Sequence, residues 1–206
     1  MKNITRSTLS ALALAAACLG VSGAAQADTI PYQDSGTPNA ATYTFTAAAD
    51  GDLVAWFVNL GRPGYDETLG VMVNGVDTGT YGLDNQTSNY GDSLDFGPVH
   101  AGDVLVFVLN VISTQTQYYS DASMNADDHT HHVYSTAYGG DVGSGIPVGV
   151  YVGFEDLDHG GDFNYSDEQF VFSNVNVGVV PEPANALLLL AGLGAVAGAA
   201  RRRRRG

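Results

Sequence analysis

The chain has 206 residues, an apolar fraction of 45% and a formal net charge of −14 at pH 7, which suits one globular domain with an adequate core plus flanking segments. Residues 28–180 carry 21 of the 22 acidic residues and a single basic residue, Arg62. Nucleic acid is therefore excluded as a partner, because phosphate binding needs lysine and arginine. The single cysteine, Cys18, precedes this region, which excludes disulfides, a cysteine nucleophile and zinc–thiolate sites there.

The amino terminus predicts an export signal. Two basic residues precede an apolar run over 9–21, and Ala25 and Ala27 form an A-x-A cleavage site. This order is typical of a secretory signal peptide. We expect a signal-peptide helix within 1–27, cleavage after Ala27 and export of the remaining chain. Lipidation at Cys18 is the alternative.

Residues 28–178 predict an acidic β-sandwich. Short runs of β-branched and aromatic residues alternate with turn residues, and no segment has the period of an amphipathic helix. Asn74-Gly75 predicts a tight hairpin. Spaced strands of this kind favour an all-β antiparallel sandwich or jelly roll, with Trp56 in the core. The predicted strands cover 41–47, 52–60, 69–75, 103–112, 149–154 and 169–177.

A histidine-rich stretch, NADDHTHHVY, covers residues 125–134. If the stretch is a strand, His129 and His131 share one face and can serve a transition metal. His132 is the third histidine of this group. The alternative is that these histidines are solvated or hydrogen-bonded beside the acidic loop described next.

The stretch GFEDLDHGGDFNYSDEQFVF, residues 153–172, predicts a cation site. It holds six carboxylates and one asparagine amide within 155–168, and calcium prefers six to eight oxygen ligands of this kind. Its spacing begins like an EF-hand loop, but Gly160 stands at position 5 and strands flank it. We expect a calcium loop between two strands, or alternatively side chains that bond their own backbone. The predicted ligands are Asp156, Asp158, Asp162, Asn164 and Asp167.

This stretch resembles the carboxy-terminal signature of the domain of unknown function catalogued as DUF4114, which ends in a GFEDL…GGD.DFND..F pattern. The matching residues are 153–157, 160–164 and Asp167, and Tyr165-Ser166 is inserted before the last of them. Residues 128–138 are similar to a DH.Y/F run before the signature. The resemblance implies an extracellular β-rich module, often of bacterial surface proteins, with no known catalytic activity.

The tail, residues 179–206, combines a proline motif, an apolar run and a basic cluster. The uncharged run over 186–200 has 15 residues, and as a helix it would be about 22 Å long, a short span for about 30 Å of hydrocarbon. The arginines would stay in the cytoplasm. The motif residues are Pro181, Glu182 and Pro183, and the membrane-stop residues are Arg201, Arg202, Arg203, Arg204 and Arg205.

This order closely resembles the PEP-CTERM sorting signal of Gram-negative bacteria. The resemblance implies recognition of Pro181, Glu182 and Pro183 by an exosortase, a membrane-embedded protease. It also implies transient insertion into the inner membrane, removal of the helix, and association with exopolysaccharide and biofilm. A permanent single-pass anchor is the alternative.

Together these patterns predict an exported, non-enzymatic protein of the cell surface or the exopolysaccharide matrix, with Ca²⁺ as its cofactor. The predicted domains are the signal peptide (1–27), the acidic sandwich (28–178) and the sorting signal (179–206). The alternatives are a secreted carbohydrate-binding module and a polysaccharide hydrolase that uses carboxylates as acid and base. The sequence has no G-x-S-x-G and no H-E-x-x-H motif, which argues against the common hydrolase classes.

Overall fold

The computed structural model describes residues 36–61, 64–127 and 129–180. The predicted signal peptide with its cleavage site, Arg62 and the sorting signal from Pro181 onward lie outside the described residues, and so do the two predicted flanking helices. Within the described ranges, no helix is long and apolar enough to cross a membrane.

Eleven strands form two antiparallel sheets. The strands of the six-stranded sheet are β1 (Thr42–Ala47), β3 (Glu67–Val73), β4 (Val76–Gly82), β6 (Val104–Val111), β7 (Thr116–Tyr119) and β11 (Val175–Val180). The strands of the five-stranded sheet are β2 (Gly51–Phe57), β5 (Ser93–Val99), β8 (Val133–Tyr138), β9 (Gly149–Phe154) and β10 (Glu168–Phe172). Short 3₁₀ helices lie at Ala122–Met124, Val142–Ser144 and Asp158–Gly160.

The first sheet has the order β11-β1-β6-β3-β4, with β7 paired to β6, and the second has the order β5-β2-β10-β9-β8. Their inner faces form one core, in which the ring of Phe107 stacks on that of Phe172 with centroids 3.8 Å apart. The predicted all-β antiparallel fold is therefore confirmed. Trp56 is only partly buried, and it packs against a second apolar cluster around Tyr151 and Val171, away from the main core.

The strand alternation that the sequence shows is what separates the core from the surface. In β1, Tyr43, Phe45 and Ala47 are buried, and the threonines between them are not. The predicted hairpin is confirmed, since Asn74 and Gly75 have φ of 51° and 79° and join β3 to β4. Such positive φ values are the reason that asparagine and glycine dominate these turns.

The prediction of one strand over 169–177 is wrong, because the chain changes sheets inside it. β10 ends at Phe172, and β11 begins at Val175 in the other sheet. Asn174 turns the chain with φ of 58°. Its side-chain amide accepts from the N–H of Ala49 (2.9 Å) and donates to the carbonyl of Ala49 (3.0 Å). These two bonds join the turn to a residue far away in sequence, so tertiary contacts and not the local pattern end the strand here.

Candidate cation site

Five acidic side chains from both sheets meet at one end of the sandwich. Glu67 opens β3 in one sheet, and Glu168 opens β10 in the other. Glu155 and Asp156 follow β9, and Asp167 precedes β10. Because β9 and β10 are antiparallel neighbours, the residues that leave one strand lie beside those that enter the other. We call these five residues the acidic cluster and this end of the sandwich the acidic end.

Strand alternation turns the two glutamates of the strands into the interior. Glu67 occupies the same face of β3 as the core residues Leu69 and Val71, and Glu168 occupies the same face of β10 as Phe170. Both glutamates have 0% exposed surface. Charged residues are almost never buried to this extent unless they are paired.

Three of the five residues have the spacing of a coordination shell. Carboxylate oxygens of Glu155, Asp156 and Asp167 all lie within 4.8 Å of one another. Two ligands on opposite sides of a calcium ion are about 5 Å apart, since each Ca–O distance is 2.3–2.6 Å. One ion can therefore contact all three carboxylates.

The hydrogen bonds of the cluster leave several oxygens without a donor. Glu155 accepts from the backbone N–H groups of Leu157 and Asn164, and Oε2 of Glu67 accepts from Nδ2 of Asn85 at 3.1 Å. In contrast, Oε1 of Glu67 and both carboxylate oxygens of Glu168 are buried and accept no hydrogen bond from any N–H or O–H group of the described residues. An unpartnered buried oxygen of this kind costs about 1–3 kcal/mol, and more when it is charged.

Burial shifts every carboxyl of the cluster toward the protonated form. It raises the pKa of Glu168 to about 10 and that of Glu67 to about 9, and neighbouring carboxylates add to both shifts. Burial followed by the charge of Asp156 raises the pKa of Asp167 to about 8. Burial also raises the pKa of Glu155 to about 7, against the opposing effect of its backbone N–H donors, and raises the pKa of Asp156.

No lysine or arginine occurs in the described ranges, so no permanently charged side chain of that part of the chain neutralises the cluster. Buried carboxylates without a cationic partner either bind protons or coordinate a metal. The acidic cluster therefore needs protons or a cation from beyond the described residues to balance its charge.

A buried, hydrogen-bonded pair of His132 and Asp127 borders the acidic cluster. The ring of His132 bonds through Nδ1 to the carbonyl oxygen of Glu155 (2.9 Å) and through Nε2 to Oδ2 of Asp127 (2.7 Å). Burial alone would raise the pKa of Asp127, but the hydrogen bond and charge of His132 outweigh it and lower that pKa. The ring of Tyr118 stacks on His132 with centroids 3.9 Å apart.

The five ligands predicted from the loop occupy different environments. Asp156 and Asp167 belong to the acidic cluster. The side chain of Asp158 is 74% exposed, and Asp162 is exposed too. Asn164 supports the cluster through its amide, since its Nδ2 donates to Oδ1 of Asp167 at 3.0 Å.

Loop spacing did not lead to Glu67, which lies far away in sequence, and it left Glu168 and Glu155 out of the ligand set. The signal was present in the strand pattern. Each glutamate of the strands stands two residues before an inward apolar residue, in the runs ETLGV (67–71) and EQFVF (168–172). A carboxylate on the core face of a strand is the informative observation, because it must be neutralised there.

The strand on which the transition-metal hypothesis depended does not include His129 or His131. His129 has φ of 61° and lies in a turn, and β8 begins only at Val133. His129 and His131 therefore do not share a strand face. The Nδ1 atom of His131 bonds to the carbonyl oxygen of Ala41 at 3.1 Å, which corresponds to the hydrogen-bonded alternative.

Comparison with known proteins gives a match in the tail. A family model of the PEP-CTERM protein-sorting motif matches residues 179–205. This match supports an exported protein that an exosortase processes, with a transient membrane-anchored state before it reaches the cell surface. No curated protein and no solved structure matches the chain. The resemblance to DUF4114 stays a prediction.

Proposed function

We propose that this chain is a non-enzymatic protein of the cell surface or exopolysaccharide matrix, and that a calcium ion bound by the acidic cluster holds the two sheets together. The observation that carries the proposal is the burial of Glu67 and Glu168, from opposite sheets, with three carboxylate oxygens that have no hydrogen-bond donor. A divalent cation supplies the missing positive charge.

Calcium fits this set of ligands better than other ions do. The donors are carboxylate oxygens, which hard cations prefer, and the cluster contains neither cysteine nor histidine, which zinc and copper favour. Three carboxylates have coordination spacing, and the two strand glutamates beside them come from opposite sheets, so the set of ligands is irregular. Calcium accepts six to eight ligands in flexible geometry, whereas magnesium demands a near-ideal octahedron.

The buried location of the acidic cluster between the two sheets supports a structural role. Glu155 uses both carboxylate oxygens to accept backbone N–H groups, and Glu67 and Glu168 face the core. A glycoside hydrolase needs an acid and a second carboxylate that both reach the scissile bond of the sugar. The buried cluster instead resembles a cross-link between sheets, so we assign it to stability outside the cell.

Thermal unfolding of the full chain in EDTA and in 1 mM calcium chloride tests this proposal. We expect calcium to raise the melting temperature and 1 mM magnesium to have a smaller effect. Asp167→Asn and Glu155→Gln remove cluster charge and should abolish most of the calcium effect. Asp158→Asn is the matched control, because that side chain is exposed, and it should retain the effect.

Calorimetry in two buffers of different ionisation enthalpy adds an independent readout. Asp167 and Glu67 have raised pKa values of about 8 and 9, so calcium must displace protons at pH 7. We expect the binding heat to depend on the buffer. Absence of calcium binding to the folded chain would overturn the proposal, as would loss of binding in Asp158→Asn with retention in Asp167→Asn. Release of reducing sugar from polysaccharide by the purified chain would favour the hydrolase alternative.

A further inference from the structure

The outer face of the six-stranded sheet carries a group of aromatic and amide side chains that point away from the core. Gln117 of β7 pairs with Asn110 of β6, and Tyr119 pairs with Val108. The intervening Tyr118 is buried in the core, so Gln117 and Tyr119 point away from it. Tyr81 of β4 lies on the same outer face. We call Tyr81, Asn110, Gln117 and Tyr119 the tyrosine–amide platform.

The ring of Tyr81 lies flat on the sheet. A methyl group at Gly70 would be 2.3 Å from Cε1 of this ring and 2.7 and 2.8 Å from the adjacent Cζ and Cδ1. The bonded neighbours Cζ and Cδ1 are only slightly farther away than Cε1. Gly70 therefore lies under the face of the ring and not at its edge. The opposite face is therefore turned toward solvent, and the side chain is half-buried. Glycine is needed at position 70 because any Cβ would lift the ring.

Hydrogen bonds fix the platform in place. The hydroxyl of Tyr119 donates to Oε1 of Gln117 at 2.9 Å, and Nε2 of Gln117 lies 3.5 Å from both the hydroxyl of Tyr81 and Oδ1 of Asn110. The hydroxyl of Tyr81 donates to Oδ2 of Asp77 at 2.9 Å. Burial followed by this hydrogen bond raises the pKa of Tyr81 to about 12, so the phenol keeps its proton. Such preorganisation lowers the entropy cost of binding.

A groove of about 770 Å³ adjoins the platform and is lined by Asn110, Gln117 and Tyr119, whereas Tyr81 lies outside this lining and extends the aromatic surface beside it. Ile112 and Met124 also line the groove and are 44% and 39% exposed. Its volume lies within the roughly 300–1,000 Å³ of small-molecule clefts. Flat aromatic surface next to side chains that both donate and accept hydrogen bonds suits a sugar chain, because a pyranose ring has an apolar C–H face and a polar hydroxyl edge.

We propose that the tyrosine–amide platform binds a neutral polysaccharide. The charge of the face decides between neutral and anionic chains. No lysine or arginine lies in the described ranges, and Asp77 stands at the edge of the platform, so an anionic chain is repelled. This site is separate from the acidic cluster, and the inference rests on the proposed role at the cell surface only for the source of its ligand.

Affinity electrophoresis of the full chain tests the proposal with four neutral probes, namely β-1,4-glucan, β-1,3-glucan, dextran and mannan, and with alginate as the anionic probe. We expect retardation by at least one neutral glycan and none by alginate. Tyr119→Ala removes a ring, and Gly70→Ala lifts the ring of Tyr81, so each should weaken binding by about tenfold. Tyr119→Phe retains the ring and should keep most of the affinity.

Asn176→Ala is the control, because Asn176 is exposed on the same outer face in β11, where it pairs with Thr46. It should bind as the parent does. Each variant must also show the parental effect of calcium on melting, which separates a local loss from misfolding and from failure of the cation proposal. The inference is overturned if no neutral probe retards the chain, if alginate retards it more, or if Tyr119→Ala binds normally. Such a result would instead favour a protein partner that contacts Ile112 and Met124.

Discussion

The two ends of the sandwich use the same residue types in opposite ways. At the end where β5 leads into β6, Asp103 accepts from the N–H of His100 (2.7 Å) and from Nδ2 of Asn74 (2.8 Å), and Asp50 accepts from the N–H of Ala101 (2.9 Å). Asp50 is exposed, and Asp103 is only partly buried. At the acidic end, carboxylates are buried and oxygens of Glu168 have no donor at all.

The difference shows that the environment, not the residue type, decides what a carboxylate does. A turn offers free N–H groups and solvent, so an ionised aspartate is stabilised there and closes the turn. The acidic end offers too few donors for its charges and buries most of them. Its carboxylates are therefore available to a cation, and the far-end aspartates are not.

Replacement of His132 should cause the largest loss of stability. His132→Gln removes the ring that bonds to Asp127 at 2.7 Å and leaves this buried carboxylate with the backbone N–H of His159 as its donor, while Oδ1 of Asp127 already lacks one among the described residues. We expect a loss of about 3 kcal/mol in the free energy of unfolding. Urea denaturation at pH 7 in calcium measures it. The double variant with Asp127→Asn should recover part of the loss, and a strictly additive double variant would contradict the pairing.

Replacement of Glu168, whose carboxylate oxygens accept no hydrogen bond from the described residues, should have different effects on stability with and without calcium. Glu168→Leu replaces a buried carboxyl with an apolar side chain of similar size, so in EDTA we expect a gain of about 2 kcal/mol. In calcium the gain should shrink, because the cation loses a ligand. Glu168→Gln keeps an unpartnered polar group and is the control. If Glu168→Leu is less stable than the parent in EDTA, the carboxyl of Glu168 has a stabilising partner in the folded chain and the prediction fails.

The pH dependence should also separate the two ends. Folded Glu168, Glu67 and Asp167 hold protons at pH values where the unfolded chain has released them, since their pKa values are raised to about 10, 9 and 8. The folded state then binds more protons than the unfolded state, so stability in EDTA falls as pH rises from about 4.5 toward 10. Each extra proton contributes about 1.4 kcal/mol per pH unit.

Calcium should flatten this dependence, because it stabilises the ionised cluster. Urea denaturation at pH 5, 6, 7 and 8 measures both slopes. Parallel slopes with and without calcium would show that the cation binds elsewhere.

The smallest effect on stability is expected at the end opposite the acidic end, where β5 leads into β6. Backbone and side-chain donors, first the N–H of His100, lower the pKa of Asp103, but the carboxylate remains open to solvent. Asp103→Asn should shift the melting temperature less than the variants of His132 and Glu168 do, and by the same amount in EDTA and in calcium. A calcium-dependent shift would contradict the division between the two ends.

Local patterns predicted much of this fold. The period of two in β1 and the Asn74-Gly75 turn need no distant partner, so the sequence displays them directly. The change of sheet at Asn174 was not predictable in that way, because residues 169–177 are β-forming throughout and the turn depends on contacts with Ala49.

The site shows the same division between local and distant information. Asp156 and Asp167 were found from the density of carboxylates in one loop. Glu67 joins them only because β3 lies in the facing sheet, about ninety residues earlier in the chain. Asp158 resembles a ligand by spacing, yet a short 3₁₀ helix begins there and its side chain is directed to solvent.

The position of β11 has a mechanical consequence. All six of its residues pair with β1, and the next residue in sequence, Pro181, opens the sorting motif. A pull on the carboxyl end along the strand would load these perpendicular hydrogen bonds together, in shear, so none is opened before the others. The tyrosine–amide platform lies in this same sheet, and its residues on β6 and β7 are joined to β11 through β1. Tension between a bound chain at the platform and the tail would thus pass through the hydrogen bonds of one sheet.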